Sequence, residues 1–324
     1  MVYSNRLDIL RHLTDNSTHS IPPTMPSSPF FHLPLELRRQ IYTTFFSTLH
    51  LPYPTLTHPL LHTSHQIRSE AQNLFYNNAR FSLQTTEHFV NYLSSIPRYT
   101  LEQLRHVEVK GYPFPLYPSE GYGSYFTFDF SSVVLLFPGL QLHTLILHDP
   151  YHGKNVGEDG WGHDASYNEV GDLIKNGRGW KNLVFKSEND HMMEVVRFTS
   201  IDRAGNRNEE VHGRDKQPGT WDRLIKERDG EGEGAGVEMW VCQEGGKREK
   251  VDAEVGYKVR GEGWEDVGIE IRVRRGKGAD CVQDGKVGCV YDEKLLEIFR
   301  RMNWREIKEN ELLLDGEEDP CRHL

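Results

Sequence analysis

Residues 33–42 read LPLELRRQIY and residues 60–83 read LLHTSHQIRSEAQNLFYNNARFSL; these two segments set the architecture of the N-terminal region. Pro34 suits the first helical position, where its missing N–H would have had no partner, and Glu36 sits favourably at the positive end of the helix dipole. Leu33, Leu37, Ile41 and Phe45 recur every four residues. That spacing predicts one apolar stripe, with Arg38, Arg39 and Gln40 turned to water. After the proline-containing connection LPYPTLTHP (51–59), a second helix is predicted with Leu60, Leu61, Ser64, Ile67, Ala71, Leu74 and Phe75 inward. Arg68, Glu70 and Gln72 are expected outward, and Asn77-Asn78 marks the end.

From residue 79 the pattern alternates between strand and helix. Ala79, Phe81 and Leu83 alternate with Arg80, Ser82 and Gln84 as in a half-buried strand, and TTEHFVNYLSSIP follows as a helix opened by threonine and closed by Pro97. Further strands are expected at 104–109, 142–147 and 181–186, and helices at 129–137 and 166–175. The strand starts are 38 and 39 residues apart, which suggests an irregular, repeat-like β-α layer over 84–200, with a compact mixed α+β domain as the alternative. Beyond it, 53 of the chain's 86 charged residues fall in 201–324. There a helix is predicted at 219–230, strands at 237–242 and 267–275, and another helix at 292–304. The expected fold class is α+β: N-terminal helices, the β-α middle layer, and a small C-terminal β-meander with helices over 201–314. The proline-rich stretch before Phe30 makes 1–29 a disordered leader, and 315–324 an acidic tail.

Composition narrows the function. The net charge of -10 argues against a dedicated nucleic-acid binder, whose phosphate contacts need a basic surface. The longest strongly apolar run, VVLLF at 133–137, is far below the roughly 20 residues that cross a bilayer. Asp8 and polar residues interrupt what would be the apolar part of a signal peptide. Four cysteines with no CxxC pair indicate neither a disulfide framework nor a zinc knuckle, and fit a cytoplasmic or nuclear compartment.

Motifs for chemistry are weak. The glycine run GEGEGAG (230–236) leaves a helix for a strand, carries Glu231 and Glu233, and lacks the Gly-Lys-Ser/Thr of a phosphate loop. His148, Asp149, His152 and His163 sit in a Gly-, Asp- and Pro-rich stretch without helical His-x-x-x-His spacing, so a solvated loop is expected rather than a metal site. There is no Gly-x-Ser-x-Gly elbow. No catalytic residue, metal or cofactor is assigned, and the chain is not expected to be an enzyme. The aromatic stretch GYPFPLYPSEGYGSYFTF (111–128) is a possible contact surface whose rings can equally pack on the strand edge.

Taken together, 33–42 and 60–83, with Gln-Ile-x-Ser-Glu-Ala and the closing Phe-Tyr-x-Asn-Asn-x-Phe, resemble the fungal F-box-like proteins over about 50 residues (30–83). The stretches GTWDRLIKERDG (219–230) and RRGKGAD (274–280) also look like segments that recur in some of them. The resemblance implies a protein-binding adaptor, the substrate-recognition subunit of a cullin-type ubiquitin ligase. Leu33, Pro34, Leu37 and Ile41 would contact the ligase's small adaptor subunit, and the rest of the chain would hold a protein substrate. The alternative is an F-box-like scaffold without ligase contact, whose apolar stripe packs on its own second helix. The chain departs from the group at His62, Ser64 and His65, where arginine, cysteine and arginine are common, and no tryptophan closes the motif.

Overall fold

A computed structural model describes residues 28–284 except 112–113, 116–126, 129, 150–160, 194–196, 202–206, 212–213, 232–233, 244 and 258–266. The expected leader up to residue 27, the helix at 292–304, the tail at 315–324 and most of the aromatic stretch lie outside the described residues.

After a single 3-10 turn at Pro29–His32, the N-terminal part contains α1 (Leu35–Ser47), β1 (His50–Pro52), α2 (His65–Asn78) and β2 (Arg80–Leu83). The middle adds α3 (Thr86–Ser95), the single turn α4 (Arg98–Leu101), β3 (His106–Lys110), the short β4 (Phe114–Pro115) and β5 (Thr127–Phe128), and α5 (Phe130–Leu135). It continues through β6 (Leu142–His148), α6 (Trp161–Lys175) and β7 (Trp180–Ser187). Then come β8 (Arg197–Ile201), β9 (Arg207–Val211), α7 (Gly219–Asp229), β10 (Gly236–Cys242), β11 (Arg248–Lys250) and β12 (Gly268–Arg274). Local chemistry sets several boundaries. The Ser64 hydroxyl accepts the Ile67 amide at 3.1 Å to start α2, and the Thr85 hydroxyl accepts the His88 amide at 3.1 Å to start α3.

The fold class is α+β. Eight strands form one mixed sheet in the order β1-β2-β3-β6-β7-β12-β10-β11; the first five are parallel and the last three join antiparallel. His106 pairs with Thr144 and Thr144 with Asn182, so partners are 38 residues apart at both steps. The C-terminal strands β12, β10 and β11 pair antiparallel with one another and join the edge of the middle layer. β12 inserts between β7 and β10 with six residues in register against β7, which makes the charged region a continuation of the same sheet. The reason is apolar continuity: Ile269, Ile271 and Val273 supply the side-chain row that Leu183 and Phe185 require next to them.

The row Phe81, Val107, Leu145, Leu183, Val273 and Val237 runs across six strands on one side of the sheet and is buried throughout. Phe46 of α1, Phe75 of α2 and Phe81 of β2 stack edge-on in file, with centroids 5.3 and 5.5 Å apart and all three fully buried. The N-terminal helices are thereby joined to the main core. The opposite side of the sheet carries polar residues, among them His50, Arg80, His106, Glu108, Lys186 and Arg272. Its edges are short: β1 is three residues ending in Pro52, and Arg248, Glu249 and Lys250 of β11 are all exposed.

The two C-terminal segments singled out in the sequence meet in space. Asp229 at the end of α7 accepts from Arg275 Nε at 2.6 Å and Nη2 at 2.9 Å, and from the Gly276 amide at 2.9 Å. Both side chains of this ion pair are only 3% exposed. The Gly177 carbonyl accepts from Arg228 at 2.8 Å and Arg275 at 3.3 Å, tying the end of α6 to α7 and β12. Glycine is required there, because a Cβ would lie 2.3 Å from the Leu173 carbonyl oxygen and 2.9 Å from Trp180 Nε1. No helix of the described residues is long and apolar enough to cross a membrane.

Asp229→Ala leaves the Arg275 guanidinium buried without its counter-charge, and the expected loss is about 3–5 kcal/mol of unfolding free energy. Urea denaturation measures it; a loss under about 1 kcal/mol would show that the pair does not hold α7 to the sheet.

Candidate docking ridge on the first helix

Two lines of side chains run along α1, one residue apart, and the structure assigns them opposite roles. Arg38, Tyr42 and Phe46 face inward and are buried. Leu37, Ile41 and Phe45 face outward and remain 45%, 46% and 38% exposed. The apolar stripe read from the sequence is therefore a surface ridge. Arg38, expected in water, points to the interior.

Glu70 accounts for that reversal. Arg38 Nε donates to Glu70 Oε2 at 2.9 Å and Nη2 donates to Oε1 at 2.7 Å, a two-pronged pair between α1 and α2. Arg38 Nη1 also donates to the Leu33 carbonyl at 2.6 Å, and Gln66 donates to Glu70 Oε1 at 2.9 Å. Glu70 was expected outward on amphipathic grounds and is instead only 12% exposed. The Arg38 hydrogen bonds hold its carboxyl below the usual carboxylate range, against the upward push of burial. Tyr42 and Phe46 then complete the interior line, their rings 6.3 Å apart and stacked.

Each sequence-assigned residue has a definite place. Leu33 is half-buried and spends its carbonyl on Arg38, Pro34 caps α1 and is exposed, and Leu37 and Ile41 form the middle of the ridge. Phe45 extends it, braced edge-on by the His58 ring at 5.1 Å. The sequence reading missed the inner line. Its available signal was the pair of aromatics Tyr42 and Phe46, which favour full burial more strongly than Leu37 and Ile41 do.

Other candidates resolve differently. Trp161–Lys175 is helical, so the latter part of the stretch expected as a solvated loop belongs to α6. His148 sits at the end of β6, where its Nε2 lies 2.7 Å from Glu108 Oε1, while His50 Nε2 lies 3.1 Å from Glu108 Oε2. The His148 hydrogen bond holds the Glu108 carboxyl below its ordinary range. Among the described residues, no three His, Cys, Asp or Glu side chains come together as a metal site. Burial pushes the thiols of Cys242 and Cys281 up, which lowers the thiolate fraction a nucleophile needs.

Two outcomes follow from the facing of α1. Leu37→Ser/Ile41→Ser is expected to leave the urea midpoint nearly unchanged, whereas Phe46→Ala loses about 3–5 kcal/mol; equal losses would refute the assignment. Because Glu70 has a lowered folded pKa, its contribution is fully present above the unfolded carboxyl value of about 4.3 and disappears as pH falls through the folded value. Glu70→Gln should therefore flatten the acid side of the stability profile, measured by urea midpoints between neutral and acid pH.

Comparison of the chain with protein-family models, with curated proteins and with solved structures returned no match.

Proposed function

We propose that the chain is a protein-binding adaptor whose α1 ridge docks on the small adaptor subunit of a cullin-type ubiquitin ligase, while the sheet-containing body holds a protein substrate. The observation that carries this reading is the exposed row Leu37, Ile41 and Phe45, presented from a helix whose other side is fixed by Arg38, Tyr42 and Phe46. An apolar ridge on a rigid helix is the form that helix-in-groove recognition uses, and pre-ordering reduces the entropy lost on binding. Pro34 stands exposed at the start of the same ridge.

Magnitudes limit what the ridge does alone. Removing the remaining exposed area of each of the three side chains contributes on the order of 1 kcal/mol. A stable complex needs about 800 Å² per partner, so residues beside the ridge, such as those preceding α2, join the contact.

Co-purification of the full chain with the adaptor subunit tests the proposal. Wild type is expected to associate, and Leu37→Asp/Ile41→Asp to lose association while keeping the wild-type far-UV CD spectrum. A folded wild-type chain that fails to associate sinks the ligase reading and leaves the scaffold without ligase contact.

A further inference from the structure

At the far end of the sheet from α1, β7, β12, β10 and α7 border a cleft of about 400 Å³. Four cations line it, Lys226, Lys250, Arg272 and Arg274, against two acids, Asp222 and Glu238. This excess of positive charge stands in a chain whose net charge is -10. Three of the cations are internally braced: Lys226 to Asp222 at 2.7 Å, Lys250 to Glu238 at 2.7 Å, and Arg272 to Glu270 at 2.6 Å. Lys250 and Arg272 also lie 5.7 and 5.8 Å from the centre of the Trp240 ring, which fixes their heads beside an aromatic plate. Arg274 is exposed, and its charge joins that of Lys250 in holding the Glu238 carboxyl below its ordinary range.

We propose that this cleft binds an extended acidic segment of a partner protein. The inference deepens the adaptor reading, because it names the class of protein that the body holds, yet it needs no contact through α1. Arg272 and Arg274 point to the same side of β12, about 6.7 Å apart along the strand. Alternate side chains of an extended peptide have the same spacing, so two carboxylates at i and i+2 meet the two guanidiniums in register. The braced pairs leave donor capacity: the Arg272 side chain is 47% exposed and that of Lys250 50% exposed. The carboxylates of Asp222 and Glu238 in the lining select against a continuous phosphate backbone, which is repelled wherever it passes one, while a peptide with spaced acids avoids them.

The test is fluorescence anisotropy of the full chain with three labelled peptides of about a dozen residues, alternating Ser with Glu, Gln or Lys. The Glu peptide is expected to bind about tenfold tighter than the Gln peptide and to weaken as salt rises. Arg274→Ala should weaken it about threefold to tenfold, and Lys226→Ala serves as a second, independent variant. Leu37→Asp/Ile41→Asp should leave peptide affinity unchanged, so a failed ridge and a failed cleft are told apart. Equal binding of the Glu and Gln peptides, or unchanged affinity in both folded cleft variants, overturns the proposal. So does tighter binding of oligothymidylate of similar length, or of vesicles of phosphatidylserine and phosphatidylcholine in equal parts.

Discussion

Parallel pairing between strands that follow one another in the chain forces each connection to cross from one end of the sheet to the other, and crossovers of one hand all land on one side. Here that constraint operates from β1 to β7, the five parallel strands. The apolar row from Phe81 to Leu183 answers it by burying one side, which leaves the other to polar residues. Every later feature inherits this asymmetry. The antiparallel strands must continue the same apolar row to be accepted at β7, and their alternate residues then place Arg272 and Arg274 on the polar side.

The N-terminal helices attach by a different logic. Phe46, Phe75 and Phe81 provide undirected burial, while the two-pronged Arg38–Glu70 pair supplies direction, because only one rotation of α1 lets the guanidinium reach both carboxylate oxygens. Burial alone would tolerate a rotation that brought Leu37 and Ile41 inward. The ion pair thus selects which apolar line of the helix remains available to another molecule, a use of buried charge for specificity more than for net stability.

How much the sequence discloses depends on the range of the interaction that decides each feature. β2 was legible because the alternation of Phe81 and Leu83 with Arg80 and Ser82 reports one-sided burial, and threonine announces α3 locally, whereas Ser64, expected among the inward positions of the second helix, instead caps its start. The rotation of α1 was not legible, since its determinant, Glu70, lies 32 residues from Arg38 and its own helix period suggests exposure. The insertion of β12 between β7 and β10 was equally hidden: alternation shows that β12 has a buried side, but not whose row it completes. The stripe of Leu37, Ile41 and Phe45 was legible from its four-residue spacing, but that spacing alone left open whether it faced inward or, as the structure has it, outward.

A repeat that adds one strand per turn has no intrinsic reason to stop, and its growing ends would recruit strands from neighbouring molecules. This sheet stops at both ends. On one side a three-residue strand closes on a proline that has no N–H to offer, and on the other Arg248, Glu249 and Lys250 would have to be stripped of water before another strand could pair. Among the described residues the two end strands therefore act as chemical full stops, each presenting an edge that disfavours the addition of another strand.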